Sequence, residues 1–423
     1  MKPILPAALL TTALLAACSD APTTPTGQAP RPAYVSAVQV TATDTPASVS
    51  RRLGGTILSW PTDCTDSCSA LVGLNERPSA ALSAQGVGRV ERNRDVFSGG
   101  GAITAVMGGN RAYITGQQQD PWEGGNYRAI PENTPRWQKI GLERAQAMAP
   151  GLGEGVTVAV IDSGIDLLHP AFAGALSAPS TWKDFYAGDD LPQEEGQSGG
   201  AYGHGTNVAG IVLQVAPRAK IMPLRVLGPD GSGDVAGVAQ AILYAADQGA
   251  QVINLSLGSV ENSSIVQDAV RQVAERGVYV VASAGNENQD RISYPAALAR
   301  SKGALGEFLL SAGSTDLNDL KSSFSNYART LEIVGPGENV YAPYPDGRIA
   351  SWSGTSMVSP MMAGALALSL GQGLTVAPKD LTKKLAESAF DVYEHGANEA
   401  YRDMLGVKGR VDLVAFLSRT TQQ

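Results

Sequence analysis

The chain has few of the residues that build disulfide scaffolds and metal centres. Its 423 residues include only three cysteines and three histidines. Three cysteines cannot supply a multi-bridge disulfide framework or a four-cysteine zinc site. Basic residues are also outnumbered, with 32 Lys and Arg against 40 Asp and Glu and a net charge of −8. This balance argues against a nucleic-acid binder, because such binding depends on neutralising phosphates.

Charged residues make up only 17% of the chain, whereas 43% of the residues are hydrophobic. This composition indicates a folded protein with a large buried core. At roughly 150 residues per domain, the length predicts two or three structural units. Beyond the N-terminal segment no apolar run approaches the length of about 18 residues that a membrane-spanning helix needs.

The N-terminal segment resembles an export signal. Lys2 precedes an apolar run from Ile4 to Ala17, which is too short to span a bilayer comfortably. The sequence Leu15–Cys18 resembles a bacterial lipoprotein box, so we expect 1–17 to be a signal peptide and Cys18 to carry the lipid. An ordinary signal peptide cleaved after Ala17 is the alternative. Residues 18–33 read as a tether, and the protein is expected to be exported to the bacterial cell envelope.

Residues 34–100 are predicted to form a small α+β domain. Short β-branched runs alternate there with turns and one helical stretch. The predicted strands are Val35–Val40, Gly54–Leu58, Ala70–Leu74 and Gly86–Val90, and the predicted helix is Ser79–Gln85.

Cys64 and Cys68 lie four positions apart in a turn-like segment of this domain. In an oxidising compartment they would most simply form a local disulfide bond. A metal site is disfavoured, because no histidine lies nearby in the sequence. The polar, turn-rich residues 101–134 that follow the domain are predicted to be an exposed linker with a maturation site.

Residues 135–423 are predicted to form a doubly wound α/β domain with a mostly parallel sheet and helices on both faces. Continuous β-branched runs, typical of strands buried on both faces, alternate there with helical patterns. The strands are Val156–Ile161, Lys220–Val226, Gln251–Leu257, Val278–Ser283 and Phe308–Ala312, and the helices are Thr206–Gln214, Ala236–Gln248 and Ile265–Arg276.

Three polar residues occupy positions where they could act together. Asp162 ends a predicted strand, His204 opens a helix, and Ser356 follows a glycine turn before an apolar helix. A serine hydroxyl becomes a good nucleophile when a neutral imidazole takes its proton, and the imidazole needs a carboxylate to orient it. A serine at a helix N-terminus also directs backbone N–H groups at a developing oxyanion. The order Asp, His, Ser differs from that of α/β-hydrolases.

From about residue 135 onward, the chain resembles the subtilisin-type serine proteases, or subtilases. The motifs that carry the resemblance are Val158–Asp166, Gly203–Thr206, Ser283–Asn286 and Gly354–Met357. The resemblance implies that Asp162, His204 and Ser356 form the catalytic triad and that Asn286 donates to the oxyanion. Asn286 follows the predicted strand Val278–Ser283, and this position supports its role independently of the resemblance.

The same resemblance implies a groove for extended polypeptides, and glycine there would let a substrate backbone approach closely. The residues implied on its two sides are Gly231, Ser232, Gly233, Ser256, Leu257 and Gly258. Ala284 and Gly285 would line the pocket for the residue before the cut, and their small size suggests a broad, apolar or aromatic preference. Residues 34–97 would be a propeptide that acts as an intramolecular chaperone and a temporary inhibitor.

No cofactor is needed for this chemistry, but a structural Ca²⁺ is possible. The short segment from Gly210 to Pro217 argues against the calcium-binding loop that many subtilisins carry at this place. An acidic stretch between Asp162 and His204 could bind Ca²⁺, although a solvated acidic loop is the favoured interpretation. Its members are Asp184, Asp189, Asp190, Glu194 and Glu195.

The sequence therefore predicts an exported serine endopeptidase, matured by its own cleavage. Cleavage after the lipidated segment would release the catalytic domain from the membrane. One alternative is a catalytically silent, lipid-anchored binding protein on the same fold, which the presence of all four polar groups opposes. A lipase or esterase is disfavoured, because Ser356 lacks a Gly-x-Ser-x-Gly motif.

Overall fold

The computed structural model describes residues 29–61, 68–78, 87–98, 130–197, 200–393 and 398–421. Two sheets organise these residues: a four-stranded antiparallel sheet near the N-terminus and a nine-stranded sheet in the remainder. Among the described residues, no helix is long and apolar enough to cross a membrane. The predicted signal peptide, Cys18 and the predicted helix Ser79–Gln85 lie outside the described residues, as does the predicted linker up to residue 129.

The N-terminal sheet has the strand order β2-β3-β1-β4. Its strands are β1 (Tyr34–Val40), β2 (Thr56–Ser59), β3 (Cys68–Leu74) and β4 (Val87–Arg92). Helix α1 (Pro46–Leu53) packs Val49 and Leu53 into a core shared with the sheet. All four predicted strands are found, with shifted ends. Helix α1 was not predicted from the sequence, although Thr45 and Ser48 form a capping box at its start.

Cys68 is disulfide-bonded. Its predicted partner, Cys64, lies outside the described residues, so the Cys64–Cys68 pairing stays a prediction.

The nine-stranded sheet confirms the predicted doubly wound architecture. Its order is β17-β18-β14-β13-β12-β10-β6-β8-β7, and only the β17–β18 pair is antiparallel. Its strands are β6 (Thr157–Asp162), β7 (Lys183–Asp184), β8 (Lys220–Arg225), β10 (Val252–Leu255), β12 (Tyr279–Ser283), β13 (Leu309–Thr315), β14 (Ile333–Pro336), β17 (Phe390–Asp391) and β18 (Gly409–Arg410).

Two further strand groups flank this sheet. Strands β15 (Val340–Tyr344) and β16 (Arg348–Trp352) form a hairpin. Strands β5 (Asp95–Ser98), β9 (Ser232–Asp234) and β11 (Leu257–Gly258) form a small antiparallel sheet with β5 in the middle.

Helices cover both faces of the nine-stranded sheet. They are α2 (Thr134–Ile140), α3 (Leu142–Met148), α4 (His204–Val215), α5 (Val235–Asp247), α6 (Ser264–Glu275), α7 (Ala304–Phe308), α8 (Thr355–Leu370), α9 (Leu381–Glu387) and α10 (Leu413–Thr420). Strand β6 shows why both faces are covered: Val158 and Val160 join one core with α4 and α8, whereas Ala159 and Ile161 join the other with α5 and α6. A strand whose alternate side chains enter two different cores is buried on both faces, which explains why its sequence is an unbroken apolar run.

Strand β6 comes first along the chain among the strands of this sheet, and later strands pair with both of its sides. Strand β8 pairs with one side of β6 and β10 pairs with the other. Ligands of doubly wound sheets bind at such a switch point, beyond the carboxyl ends of the strands. This edge carries Asp162, Ser256 and Asn286, and the helices that begin with His204 and Thr355 start there.

Candidate active site

Asp162 and His204 are directly hydrogen-bonded. The imidazole Nδ1 of His204 donates to Asp162 Oδ1 at 2.7 Å, and both residues are 1% exposed. The backbone N–H of Ser163 also donates to Asp162 Oδ1, at 2.8 Å. These contacts fix the tautomer of the imidazole with its proton on Nδ1, which leaves Nε2 as an acceptor. Among the described residues, His204 Nε2 has no hydrogen-bond partner.

The protonation of His204 reflects two opposing effects. Burial lowers the pKa of the imidazole, but the charge and hydrogen bond of Asp162, with a further charge from Glu194, outweigh it. The pKa of His204 is therefore raised above its ordinary value. The surrounding carboxylates favour the imidazolium, which is the form a general base reaches when it takes a proton.

Ser356 lies in the first turn of α8, close to this pair. Trp352, four residues earlier, packs edge-on against the His204 ring with 5.5 Å between the ring centroids. Ser356 Oγ donates to the backbone carbonyl of Ser256 at 3.2 Å, and Ser256 Oγ donates to the Ser356 carbonyl at 2.8 Å. The structure thus shows no direct hydrogen bond between Ser356 and His204. Such bonds are often long before substrate binds.

Asn286 is held with its amide nitrogen available. Its Oδ1 accepts hydrogen bonds from the backbone N–H of Thr355 at 2.9 Å and from Thr355 Oγ1 at 3.0 Å. Its Nδ2 is buried without a partner among the described residues. A β-carbon built on Gly354 would stand 3.5 Å from this nitrogen, so Nδ2 lies beside the turn that precedes Ser356. An unpaired buried donor at that place can serve a developing oxyanion.

The segments predicted on the two sides of a groove do flank an extended strand. Strand β5 runs antiparallel to both neighbours, with Val96 opposite Gly233 and Phe97 opposite Gly258. The predicted residues Ser232, Gly233, Leu257 and Gly258 lie in these neighbouring strands, Gly231 lies in the turn before β9, and Ser256 links β10 to β11. The strand between them is part of the chain itself.

Ala284 and Gly285 follow β12 and are closely packed. Ala284 is fully buried, and Gly285 has φ of +102°. A β-carbon on Gly285 would lie 2.4 Å from Ser293 Oγ and 2.3 Å from Asn326 Nδ2, so a larger residue has no room. The sequence prediction that these residues line a substrate pocket stays a prediction.

The acidic stretch differs from the predicted solvated loop at two positions. Asp184 and Glu194 are 1% and 5% exposed, whereas Asp189, Asp190 and Glu195 are exposed. Arg225, itself buried, donates to Asp184 at 3.0 Å and to Glu195 at 2.9 Å. Its guanidinium group therefore supplies the positive charge next to these two carboxylates. Across the described ranges, no group of three or more His, Cys, Asp or Glu could hold a metal ion.

Glu194 was not singled out from the sequence as a residue next to the triad, because its burial depends on tertiary contacts that its sequence neighbours do not reveal. Burial raises the pKa of its carboxyl to about 7, against the hydrogen bonds it accepts from Ser163, Gly203 and Thr206. The nearby charge of Asp162 raises this pKa further.

Comparisons with known proteins show which family the chain resembles. Residues 153–406 match the model of the subtilase family. Thermitase from Thermoactinomyces vulgaris is 39% identical over 246 residues, which cover 56% of this chain and 81% of thermitase. Subtilisin Savinase from Lederbergia lenta is 41% identical over 243 residues, covering 54% and 82%. The solved prenylagaramide maturation protease PagA aligns with a TM-score of 0.54 at 22% identity, over 66% of this chain and 97% of that one, and supports the fold.

Proposed function

The chain belongs to the subtilase family of serine endopeptidases, and on this premise we propose that Ser356, His204, Asp162 and Asn286 carry out its peptide hydrolysis. The unpaired Nε2 of His204 accepts the proton of Ser356 Oγ as that oxygen attacks the substrate carbonyl. Asp162 stabilises the resulting imidazolium through the bond to Nδ1. The carbonyl oxygen becomes an oxyanion, for which Nδ2 of Asn286 is a donor.

The second half of the reaction reuses the same groups. The imidazolium gives its proton to the departing amine, which leaves the acyl group on Ser356 Oγ. A water molecule then gives a proton to His204 and attacks the acyl carbon. The ester bond breaks, Oγ recovers the proton, and the carboxylic acid product departs.

The arrangement of β5 is the observation that best supports a polypeptide substrate. A segment of the chain lies as the middle strand between β9 and β11, in the register given above. Main-chain pairing on both sides binds any extended peptide, whereas a small ester offers no backbone to pair. A β-carbon on Gly233 would stand 2.4 Å from the Val226 carbonyl oxygen, so strand β9 needs glycine at this position.

The region before β5 supports a propeptide that inhibits the enzyme. Val35 and Leu71 of this region, together with Val96 of β5, belong to the same buried core as helices α5 and α6 of the catalytic domain. Glu91 accepts hydrogen bonds from Ser264 N at 2.9 Å and Ser264 Oγ at 2.8 Å, and so caps the start of α6. Because β5 fills the groove, the uncut protein would exclude other substrates.

The strand register also supports a position for the maturation cut. Ser98 is paired with Leu257, and the neighbouring Ser256 carbonyl accepts the Ser356 hydroxyl at 3.2 Å. Because an extended chain advances about 3.3 Å per residue, we expect cleavage within about two residues after Ser98. This lies just ahead of the 101–134 range that composition favoured.

The proposal also includes export of the precursor and its anchoring to the membrane by a lipid. The lipoprotein-like sequence ending at Cys18 precedes the expected cut, so maturation would release the catalytic domain from its lipid anchor.

The small residues Ala284 and Gly285 support a broad preference for the residue before the cleaved bond. A profiling library that shows strict cleavage after Lys or Arg would contradict that preference.

The test compares the intact chain with Ser356→Ala. Wild type should process itself and then digest an unfolded protein, whereas Ser356→Ala should accumulate as full-length precursor. N-terminal sequencing of the processed form should begin within a few residues after Ser98. If Ser356→Ala is processed equally fast in a protease-free preparation, maturation is not autocatalytic.

A further inference from the structure

Glu194 joins the segments that carry the two hydrogen-bonded residues of the site. Its Oε1 accepts a hydrogen bond from Ser163 Oγ at 2.8 Å, and Ser163 directly follows Asp162. Its Oε2 accepts from Thr206 Oγ1 at 2.8 Å and from Thr206 N at 3.2 Å, two residues after His204. One buried carboxylate therefore connects the end of β6 to the start of α4.

This connection replaces a missing helix cap. Helix α4 has Gly203 at its N-cap position, which provides no side-chain hydrogen bond. The first free N–H groups of the helix are instead satisfied by Ser163 Oγ, which accepts from Gly205 N at 3.0 Å, and by Glu194. A carboxylate near a helix N-terminus is also favoured by the helix dipole.

The backbone fixes the position of Glu194. Its N–H donates to the Ile165 carbonyl at 3.0 Å, and the Ile165 N–H donates to the Pro192 carbonyl at 2.9 Å. Gly164 permits this approach, because a β-carbon there would stand 2.9 Å from the Pro192 carbonyl oxygen. The carboxylate is therefore held by the strand, the loop and the helix together.

We propose that Glu194 is a positioning residue of this protease. It holds Asp162 and His204 in their relative positions and stabilises the imidazolium formed on His204 during catalysis. The proposal rests on the catalytic roles proposed above. Hydrogen-bonding partners behind an active-site residue commonly tune its basicity and orientation, and buried charges interact more strongly than exposed ones.

The charges around the two residues agree with this role. Glu194 and Asp162 both raise the pKa of His204 against the effect of burial. Burial raises the pKa of the Glu194 carboxyl to about 7, so this carboxyl is charged at alkaline pH. Other ionisable groups that interact with Glu194 across the packed elements are Arg225, Tyr202 and Tyr344.

A histidine titration separates this electrostatic function from simple packing. We would use the full chain with Ser356→Ala, which cannot digest itself, and follow its three histidine rings by NMR. Glu194→Gln keeps the shape and an acceptor oxygen but removes the charge. The matched control is Asp190→Asn in the same loop, because that carboxylate is 81% exposed and pairs with Lys183 at the surface.

We expect Glu194→Gln to lower the pKa of His204 by about half a unit or more, because a buried negative charge is lost. Asp190→Asn should leave it unchanged. In the active enzyme, Glu194→Gln should reduce kcat about tenfold with little change in KM, since the imidazolium is stabilised mainly during reaction.

An unchanged pKa of His204 in folded Glu194→Gln would overturn the proposal, as would equal shifts in both variants. If Glu194→Gln does not fold, Ser163→Ala should still lower kcat at constant KM, and a wild-type kcat would overturn the proposal. A shift of the His204 pKa in a chain that never hydrolyses peptides would instead refute the proposed catalytic roles while sustaining the coupling.

Discussion

The side-chain oxygen of Asn286 accepts the backbone N–H of Thr355, the residue that precedes Ser356, at 2.9 Å. This bond orients the amide so that its nitrogen is the free end, beside the turn that leads into α8. The amide is thus fixed before any substrate arrives, which is the arrangement that stabilises a transition state without reorganisation.

Replacing Asn286 with leucine should leave substrate binding intact and slow the reaction. Removal of one oxyanion donor costs about 100- to 1,000-fold in kcat. We expect KM to change little, because the donor acts on the oxyanion and not on the bound peptide. Steady-state kinetics of the processed enzyme would measure both constants. A kcat within threefold of wild type, in a variant with unchanged melting temperature, would contradict the role of Asn286.

The pH dependence of the enzyme should reflect the raised pKa of His204. Activity requires the neutral imidazole, so kcat/KM should fall as the pH decreases through the pKa of His204. Because that pKa is raised by Asp162 and Glu194 against the effect of burial, the loss should occur above the ordinary histidine value of about 6.5.

Asp162→Asn should move this acidic limb to lower pH and reduce kcat by about 10,000-fold, since an amide cannot stabilise the imidazolium. The pH profile of kcat/KM would be compared with that of wild type after an added protease has cut away the N-terminal region of both chains and has been removed. An acidic limb that stays in place in Asp162→Asn would show that another group titrates.

Val96 should be essential for presenting the maturation bond. It is 3% exposed, in a core with Val235, Leu257 and Val266. Val96→Asp would place a charge in this apolar environment, so the strand should leave the groove. We expect autoprocessing to slow at least about tenfold, as followed by gel electrophoresis of the precursor.

The control for Val96 is its neighbour Asp95, whose side chain is 67% exposed and pairs with Arg31 at 3.3 Å. Asp95→Ala should process at nearly the wild-type rate, because an exposed ion pair contributes little. Equal processing of Val96→Asp and wild type would mean that β5 does not present the cut bond.

Glu332 should make the folded state less stable at high pH. Burial raises the pKa of its carboxyl to about 8, despite the charge of Arg300 and a hydrogen bond from Ser311. The folded state therefore holds a proton that the unfolded state has lost, and the free energy of unfolding should decrease as the pH rises from about 4.5 to about 8.

Glu332→Gln should remove this decrease and be more stable than its parent above pH 8, by on the order of a few kcal/mol. Urea unfolding at pH 5 and pH 9 in the Ser356→Ala chain would measure the difference. Glu154→Gln is the control, because Glu154 is 69% exposed. The prediction is wrong if both variants change stability equally at pH 9.

Sequence reasoning located the parts of the site that belong to local motifs. Asp162 could be placed because it ends an unbroken apolar strand, and carboxyl ends of parallel strands meet at one edge. His169 likewise has a local partner, because its Nδ1 accepts a hydrogen bond from Ala171 N at 3.1 Å. Residues such as these have their partners within a few positions or on adjacent strands.

The residues that sequence reasoning missed have partners far along the chain. Glu194 contacts residues 31 positions before it, and Asp184 pairs with an arginine 41 positions after it. In the sequence both look like parts of a solvated acidic loop, because acidic composition indicates exposure and does not reveal a tertiary partner. The strand β5 was likewise interpreted as the end of a domain, and its pairing partners lie more than 130 residues later in the chain.

The most direct test of the account is covalent labelling of the processed enzyme with a fluorophosphonate, followed by peptide mapping. The account predicts one adduct, on Ser356, formed in processed wild type and lost in a His204→Ala chain whose N-terminal region has been cut away by an added protease that is then removed. Correctly folded protein with no adduct on Ser356, or labelling of His204→Ala at the wild-type rate, would contradict a serine nucleophile activated by His204.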